Sequence, residues 1–172
     1  MTNRSKDKGA AAERELCKLL SAAFDAPFIR SANSGAFLGG KNAHRRASLT
    51  VGQRAGGKAD IVPPDHLSRL VVESKWYAEF AYHGLLAGPV AILDEWLQQT
   101  ADAADSGDLP VTCFRANRRA WSVAFPLVDA FAMDIVVANH LVYVTGAGEK
   151  FMVTDLAAFL EKNRKAIEER CG

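Results

Sequence analysis

Apolar positions along the chain switch between two periods, and the switching predicts the elements. Over residues 8–24, Ala12, Leu16, Leu19, Leu20 and Ala23 recur at the spacing of one helix face. Pro27-Phe28-Ile29-Arg30 then reads as a short strand. Residues 31–58 have no sustained period and are rich in Gly, Ser, Asn and Arg. They read as a long loop, of the kind that inside a compact domain is usually functional or disordered. Ala59-Asp60-Ile61-Val62 forms a second short strand, ended by Pro63-Pro64, which cannot donate ladder hydrogen bonds. Residues 69–77 form a third.

Farther along, Val90, Ile92, Leu93, Trp96 and Leu97 have helical spacing to about Ala104, where Asp105-Ser106-Gly107-Asp108 breaks the run. Apolar runs at 109–114 and 120–125 flank residues 115–119 and predict a hairpin. Residues 131–145 are apolar enough for another strand or two. Thr154-Asp155 opens a last helix with Leu156, Phe159, Leu160 and Ile167 turned inward. There are no internal repeats. The order of helix, strand, loop, two strands, helix, two strands and closing helix predicts an α/β fold, a mixed sheet flanked by helices. A length of 172 residues suits one domain over 1–172, near the usual 100 to 200 residues.

Net charge is only +1, yet residues 1–58 hold 11 Lys/Arg against 4 Asp/Glu, which leaves 10 against 16 for residues 59–172. That asymmetry suggests a polyanionic partner for the first third. In the loop the basic residues are Lys41, His44, Arg45, Arg46, Arg54 and Lys58. They suit nucleic-acid contact, and equally an insertion with incidental charge. Cys17, Cys113 and Cys171 form no CxxC pair and the four histidines show no zinc spacing. No stretch reaches the roughly 18 apolar residues of a membrane helix, and no apolar run follows the N-terminus. The expectation is a soluble, cytoplasmic protein in a reducing compartment.

The chemistry concentrates on two strands. Asp60 sits on the second, and Glu73-Ser74-Lys75 on the third. Magnesium or manganese takes oxygen ligands and keeps several waters, so one or two carboxylates with substrate phosphate oxygens make a sufficient site. Asp60 and Glu73 can supply them if their strands are neighbours, as the short connection favours. The Ser74 carbonyl is a third candidate ligand. Lys75, two residues beyond Glu73, shares its strand face. Its ammonium can orient or help deprotonate an attacking water, or offset charge on a phosphate. This is the equipment of metal-dependent phosphodiester hydrolysis. An ExK triplet alone is common by chance; the preceding Asp and the basic N-terminal third give it weight.

Four segments in order carry a resemblance: Lys8-Gly9-Ala10-Ala11-Ala12-Glu13-Arg14-Glu15-Leu16, Ile29-Arg30-Ser31-Ala32-Asn33-Ser34-Gly35, Lys58-Ala59-Asp60-Ile61-Val62 and Val72-Glu73-Ser74-Lys75. The chain resembles the PD-(D/E)xK nuclease superfamily, and within it most closely the archaeal-type Holliday junction resolvases, over about the first 77 residues. The resemblance implies a restriction-endonuclease-like sheet. It also implies Glu13 as the helix carboxylate reaching the metal, Asp60 and Glu73 as ligands of Mg²⁺ or Mn²⁺, and Lys75 as the catalytic lysine. Periodicity alone does not choose Glu13 over Glu15. Arg14, Arg30 and Ser34 match positions used near the scissile phosphate, although Arg14 also reads as a solvated helix residue. Two departures stand out: about 25 residues separate Ser34 from Asp60, where the resolvases have a short segment, and Lys58-Ala59 replaces the proline that normally precedes the aspartate.

The expected function is a metal-dependent DNA endonuclease leaving 5′-phosphate and 3′-hydroxyl ends, with a Holliday junction resolvase of DNA recombination or repair foremost. A phage-type or restriction-like endonuclease or nickase, and a non-catalytic DNA-binding protein on a nuclease scaffold, are the alternatives. Junction resolution requires a homodimer, because paired cuts need two sites related by a two-fold axis; the apolar residues 131–144 are a candidate surface. Trp76, Tyr77, Phe80 and Tyr82 suit either base stacking or the core. Arg115, Arg118 and Arg119 suit either a phosphate grip or a solvated turn.

Overall fold

The computed structural model describes residues 3–31 and 58–172. Helix α1 (Asn3–Phe24) buries Ala12, Leu16, Cys17, Leu20 and Phe24 and ends where Asp25 takes φ 51, a left-handed conformation that Asp tolerates. Strands β1 (Ile29–Arg30) and β2 (Ile61–Val62) are two residues each. Then come β3 (Leu70–Tyr77), α2 (Ala91–Ala103), β4 (Leu109–Ala116), β5 (Ser122–Pro126), α3 (Leu127–Ala132), β6 (His140–Val144), β7 (Lys150–Asp155) and α4 (Leu156–Cys171).

Among the described residues the sheet has seven strands in the order β1-β2-β3-β4-β5-β7-β6. β3 and β4 are parallel, joined through α2, and every other neighbouring pair is antiparallel. The sheet is mixed and covered on both faces, the restriction-endonuclease-like α/β architecture. Strand alternation sorts the core into two layers. Val72, Val111, Cys113, Val123, Phe125 and Met152 pack toward α1 and α4. Phe114, Ala124, Phe151 and Val153 pack with Leu93, Trp96 and Leu97 of α2.

Three expectations change. The strand through Asp60 contracts to Ile61–Val62, with Asp60 in the bend before it. The apolar stretch at 131–145 divides into the end of α3 and the single strand β6. β7 was not expected at all. Its Phe151, Met152, Val153 and Thr154 are buried on both faces, so they lack the alternation that marks a strand, and they run directly into a helix cap. That cap is as read: the Asp155 carboxylate accepts from the Ala158 amide at 2.9 Å, although the helix proper starts at Leu156. Of the loop expected over residues 31–58, residues 32–57 lie outside the described residues. Among those described, no helix is long and apolar enough to cross a membrane, and Cys17, Cys113 and Cys171 are free and buried.

Candidate active site

The register of the β2–β3 edge assembles the site. Ile61 pairs with Val72 in antiparallel sense, so the same register continued by one residue sets Asp60 across from Glu73. The Asp60 backbone is pinned by the Ser31 amide, which donates to its carbonyl at 2.8 Å. Its side chain is oriented by the Ser74 amide, which donates to Oδ2 at 3.1 Å. Both carboxylates are buried, Glu73 at 1% exposure.

On β3, residues 70, 72, 74 and 76 face α1, while Glu73 and Lys75 face α2. Lys75 Nζ donates to Glu73 Oε2 at 3.2 Å and to Gln99 Oε1 at 2.8 Å. The ammonium is thus held between the sheet and α2. Gln99 was not foreseen: a surface glutamine on a helix is ordinary, and its contact joins residues 24 apart in sequence. Its neighbour Thr100 bonds Thr112 on β4, hydroxyl to hydroxyl at 2.7 Å, which fixes that turn of α2 against the sheet.

Burial and the neighbouring Asp60 carboxylate raise the Glu73 pKa to about 8, against the opposing pull of Lys75. Glu73 Oε1 is buried without a hydrogen-bond partner, and so is Ser74 Oγ on the opposite face of β3. Buried polar atoms are rarely left so. Two apposed carboxylates with an unsatisfied oxygen form a hard, negatively charged donor set, and such a set suits a divalent cation. The chemistry of these residues therefore fits Mg²⁺ or Mn²⁺, which Asp60 and Glu73 could hold.

Glu13 approaches from α1, on the other side of the sheet edge. It is buried and hydrogen-bonded by the Arg30 guanidinium of β1. Burial raises its pKa, the Arg30 hydrogen bond lowers it, and the Asp60 charge raises it again. Asp60 is thus the carboxylate within electrostatic reach of both others. Among the described residues, however, no group of three or more His, Cys, Asp or Glu side chains is gathered closely enough to hold an ion.

The structure separates Glu13 from Glu15, which sequence periodicity does not. Glu15 accepts both Arg115 guanidinium nitrogens at 2.7 Å and the Trp121 indole at 3.1 Å. It is a structural carboxylate, and Arg115 is turned inward over the Trp76 and Trp121 rings rather than toward a phosphate. Trp76 also bonds Asn117 and packs against the α1-side core. Arg14 is exposed on α1 beside Glu13. Lys58 is drawn inward by Asp108 at 2.7 Å and Asp105 at 3.2 Å, which anchors the chain just before Asp60. Ser34, Lys41, Arg45, Arg46 and Arg54 lie outside the described residues.

A family model described as "Phage putative PDDEXK endonuclease" matches residues 4–169. The chain belongs to that family. No curated protein and no solved structure matches it. Membership in a phage PDDEXK endonuclease family makes the coarse function nuclease and places the chain in the PD-(D/E)xK superfamily; it does not extend to the archaeal resolvases.

Proposed function

We propose that this family member is a metal-dependent endodeoxyribonuclease that hydrolyses phosphodiesters at the β2–β3 edge. The observation that carries the reading is the buried Asp60–Glu73 pair with an unsatisfied Glu73 oxygen and Lys75 alongside. Asp60 and Glu73, with the Ser74 carbonyl, would hold Mg²⁺ or Mn²⁺. When bound, the ion acidifies a water and polarises a phosphate oxygen. Glu73 and Gln99 hold the Lys75 ammonium where it can position that water or offset charge on the scissile phosphate. Glu13 adds negative charge from the α1 side, with Arg30 at hand to donate to a phosphate, as exposed Arg14 can also. Cleavage leaves a 5′-phosphate and a 3′-hydroxyl.

Within this reading the phage family favours an endonuclease acting on duplex or branched DNA. Four-way-junction resolution is the narrower form and requires a homodimer. Phe131, Val136, Val142 and Val144, large apolar residues exposed in the 131–144 stretch, would serve its interface.

The test is cleavage of a labelled four-way junction, flap, linear duplex and single strand with Mg²⁺ or Mn²⁺, by wild type, Glu73→Ala and Lys75→Ala. Cutting of duplex or flap, lost in both variants, supports the broad reading. Symmetric cuts confined to the junction, by a species that sediments as a dimer, establish the narrow one. Tight binding without any cutting would leave a DNA-binding protein instead.

A further inference from the structure

β3 and β4 run in parallel past the candidate site and end side by side, with Tyr77 beside Ala116 in register. Beyond them the chain opens a cavity of about 440 Å³ lined by Glu79, Phe80, Tyr82, His83, Asn117 and Arg119. A second cavity, of about 370 Å³, shares Tyr82 and Arg119 with the first and continues it toward Ser122. The volume lies within the roughly 300–1,000 Å³ of sites for small organic ligands, and the outer ends of parallel strands are where such sites recur.

Its floor is aromatic and rigid. Phe80 stacks against Trp96 with centroids 5.5 Å apart and meets Tyr82 edge-on at 4.8 Å. Tyr82 also packs on Phe114, and its hydroxyl accepts from the Ala116 amide at 3.2 Å. Yet Phe80 and Tyr82 remain partly exposed. The rim is polar: exposed His83 and Arg119 make no side-chain hydrogen bond or ion pair among the described residues, and Glu79 adds one carboxylate. Phe80 and Tyr82 pack with the α2-side core, the layer that Glu73 and Lys75 also face. Ala78, which also lines the cavity, directly follows β3 and is three residues past Lys75, a span of at most about 10 Å along the chain. At about 3.4 Å per stacked base, that is a few nucleotides along a DNA strand.

We propose that this groove binds unpaired nucleotides of the DNA strand flanking the cleavage point. It rests on the nuclease reading above and narrows its substrate to DNA with a single-stranded portion beside the cut. Bases stack on the Phe80–Tyr82 platform, which is reachable only by a base outside a duplex. Arg119 and His83 donate to the phosphates between them. Glu79 repels phosphate from the far wall and accepts from an exocyclic amine there.

The test measures binding in EDTA of a blunt duplex and of the same duplex with a five-nucleotide overhang containing 2-aminopurine, using wild type, His83→Ala and Arg119→Ala. Both substituted residues are exposed, so folding is not at stake. The expected result is quenching of the 2-aminopurine by wild type. Each variant should lose about tenfold in affinity for the overhang DNA and less than twofold for the blunt duplex. Equal losses on both DNAs, no loss, or absence of quenching would overturn the groove as a nucleotide site. Cleavage of the same DNAs in Mg²⁺ reads the other premise separately. Selective overhang binding without cleavage sinks the nuclease and leaves the subsite, whereas cleavage without selectivity sinks the subsite alone.

Discussion

Glu73 concentrates the cost of building this site. It is almost fully buried, faces a second carboxylate, and keeps one oxygen without a partner. Its pKa, raised to about 8 by burial and Asp60, carries a stability consequence with a definite sign. An unfolded Glu releases its proton near pH 4.3. Between there and about 8 the folded, metal-free protein keeps a proton that the unfolded chain has lost, so its stability falls as pH rises through that window and levels off above it. Glu73→Gln removes this titration. In EDTA, urea midpoints should fall from pH 5 to pH 9 for wild type and stay nearly level for the variant, which becomes the more stable protein at pH 9. A wild-type midpoint that does not fall would show that the charge is compensated within the protein and that no cation is needed there.

At the scale of elements, α1 carries Glu13, and under the proposed function its register with β3 and β4 sets how that carboxylate approaches the site. The bidentate bond from Arg115 to Glu15 pins it to β4, and Trp76 and Trp121 lie against the guanidinium. Glu15 is about two-fifths exposed, so the pair is worth less than a buried one. Glu15→Ala should cost about 1–2 kcal/mol in chemical denaturation, part of it from leaving Arg115 half-buried and unpaired. DNA cleavage should fall several-fold more than that loss explains, because Glu13 loses its fixed approach. Cleavage at wild-type level in a destabilised variant would show that α1 contributes only to the core. Much at this scale was legible in the chain. The first helix, the Glu73-Ser74-Lys75 strand, the Ile61-Val62 part of the strand before it, α2 and the Asp155 cap follow from period, punctuation and capping chemistry, while Asp60 itself falls in the bend before its strand. What was not legible depends on residues distant in sequence. Arg115 on a predicted turn finds its partner 100 residues earlier, and β7 is invisible because both its faces are buried. Glu13 and Glu15 part only in the fold, where Glu13 meets Arg30 of the edge strand β1 and Glu15 meets Arg115 of the central strand β4.

For the molecule as a whole, the sheet is uneven. β3 and β4 pair along eight residues, from Leu70↔Leu109 to Tyr77↔Ala116, sealed by α2 on one face and by α1 and α4 on the other. Asp60 hangs instead from an edge in which β1 and β2 are two residues each and β2 meets β3 through the one register pair Ile61↔Val72. Such an edge opens at a free energy well below that of global unfolding. The Ser31 amide reports on it, because it donates to the Asp60 carbonyl. In metal-free protein, Ser31 should exchange hydrogen orders of magnitude faster than the amides of Val111 and Cys113 in the centre of β4. A cation held jointly by Asp60 and Glu73 binds only the closed edge, so it stabilises that edge by RT ln(1 + [M]/Kd), about 2.7 kcal/mol at a hundredfold excess over Kd. Adding Mg²⁺ should therefore slow exchange at Ser31 by about a hundredfold and leave β4 unchanged. In Glu73→Gln the metal effect should largely vanish, because the joint ligand on the rigid strand is gone. Protection of Ser31 that matches β4 without metal would mean that the edge is already rigid. An Mg²⁺ effect that survives in Glu73→Gln would place the ion away from the Asp60–Glu73 pair.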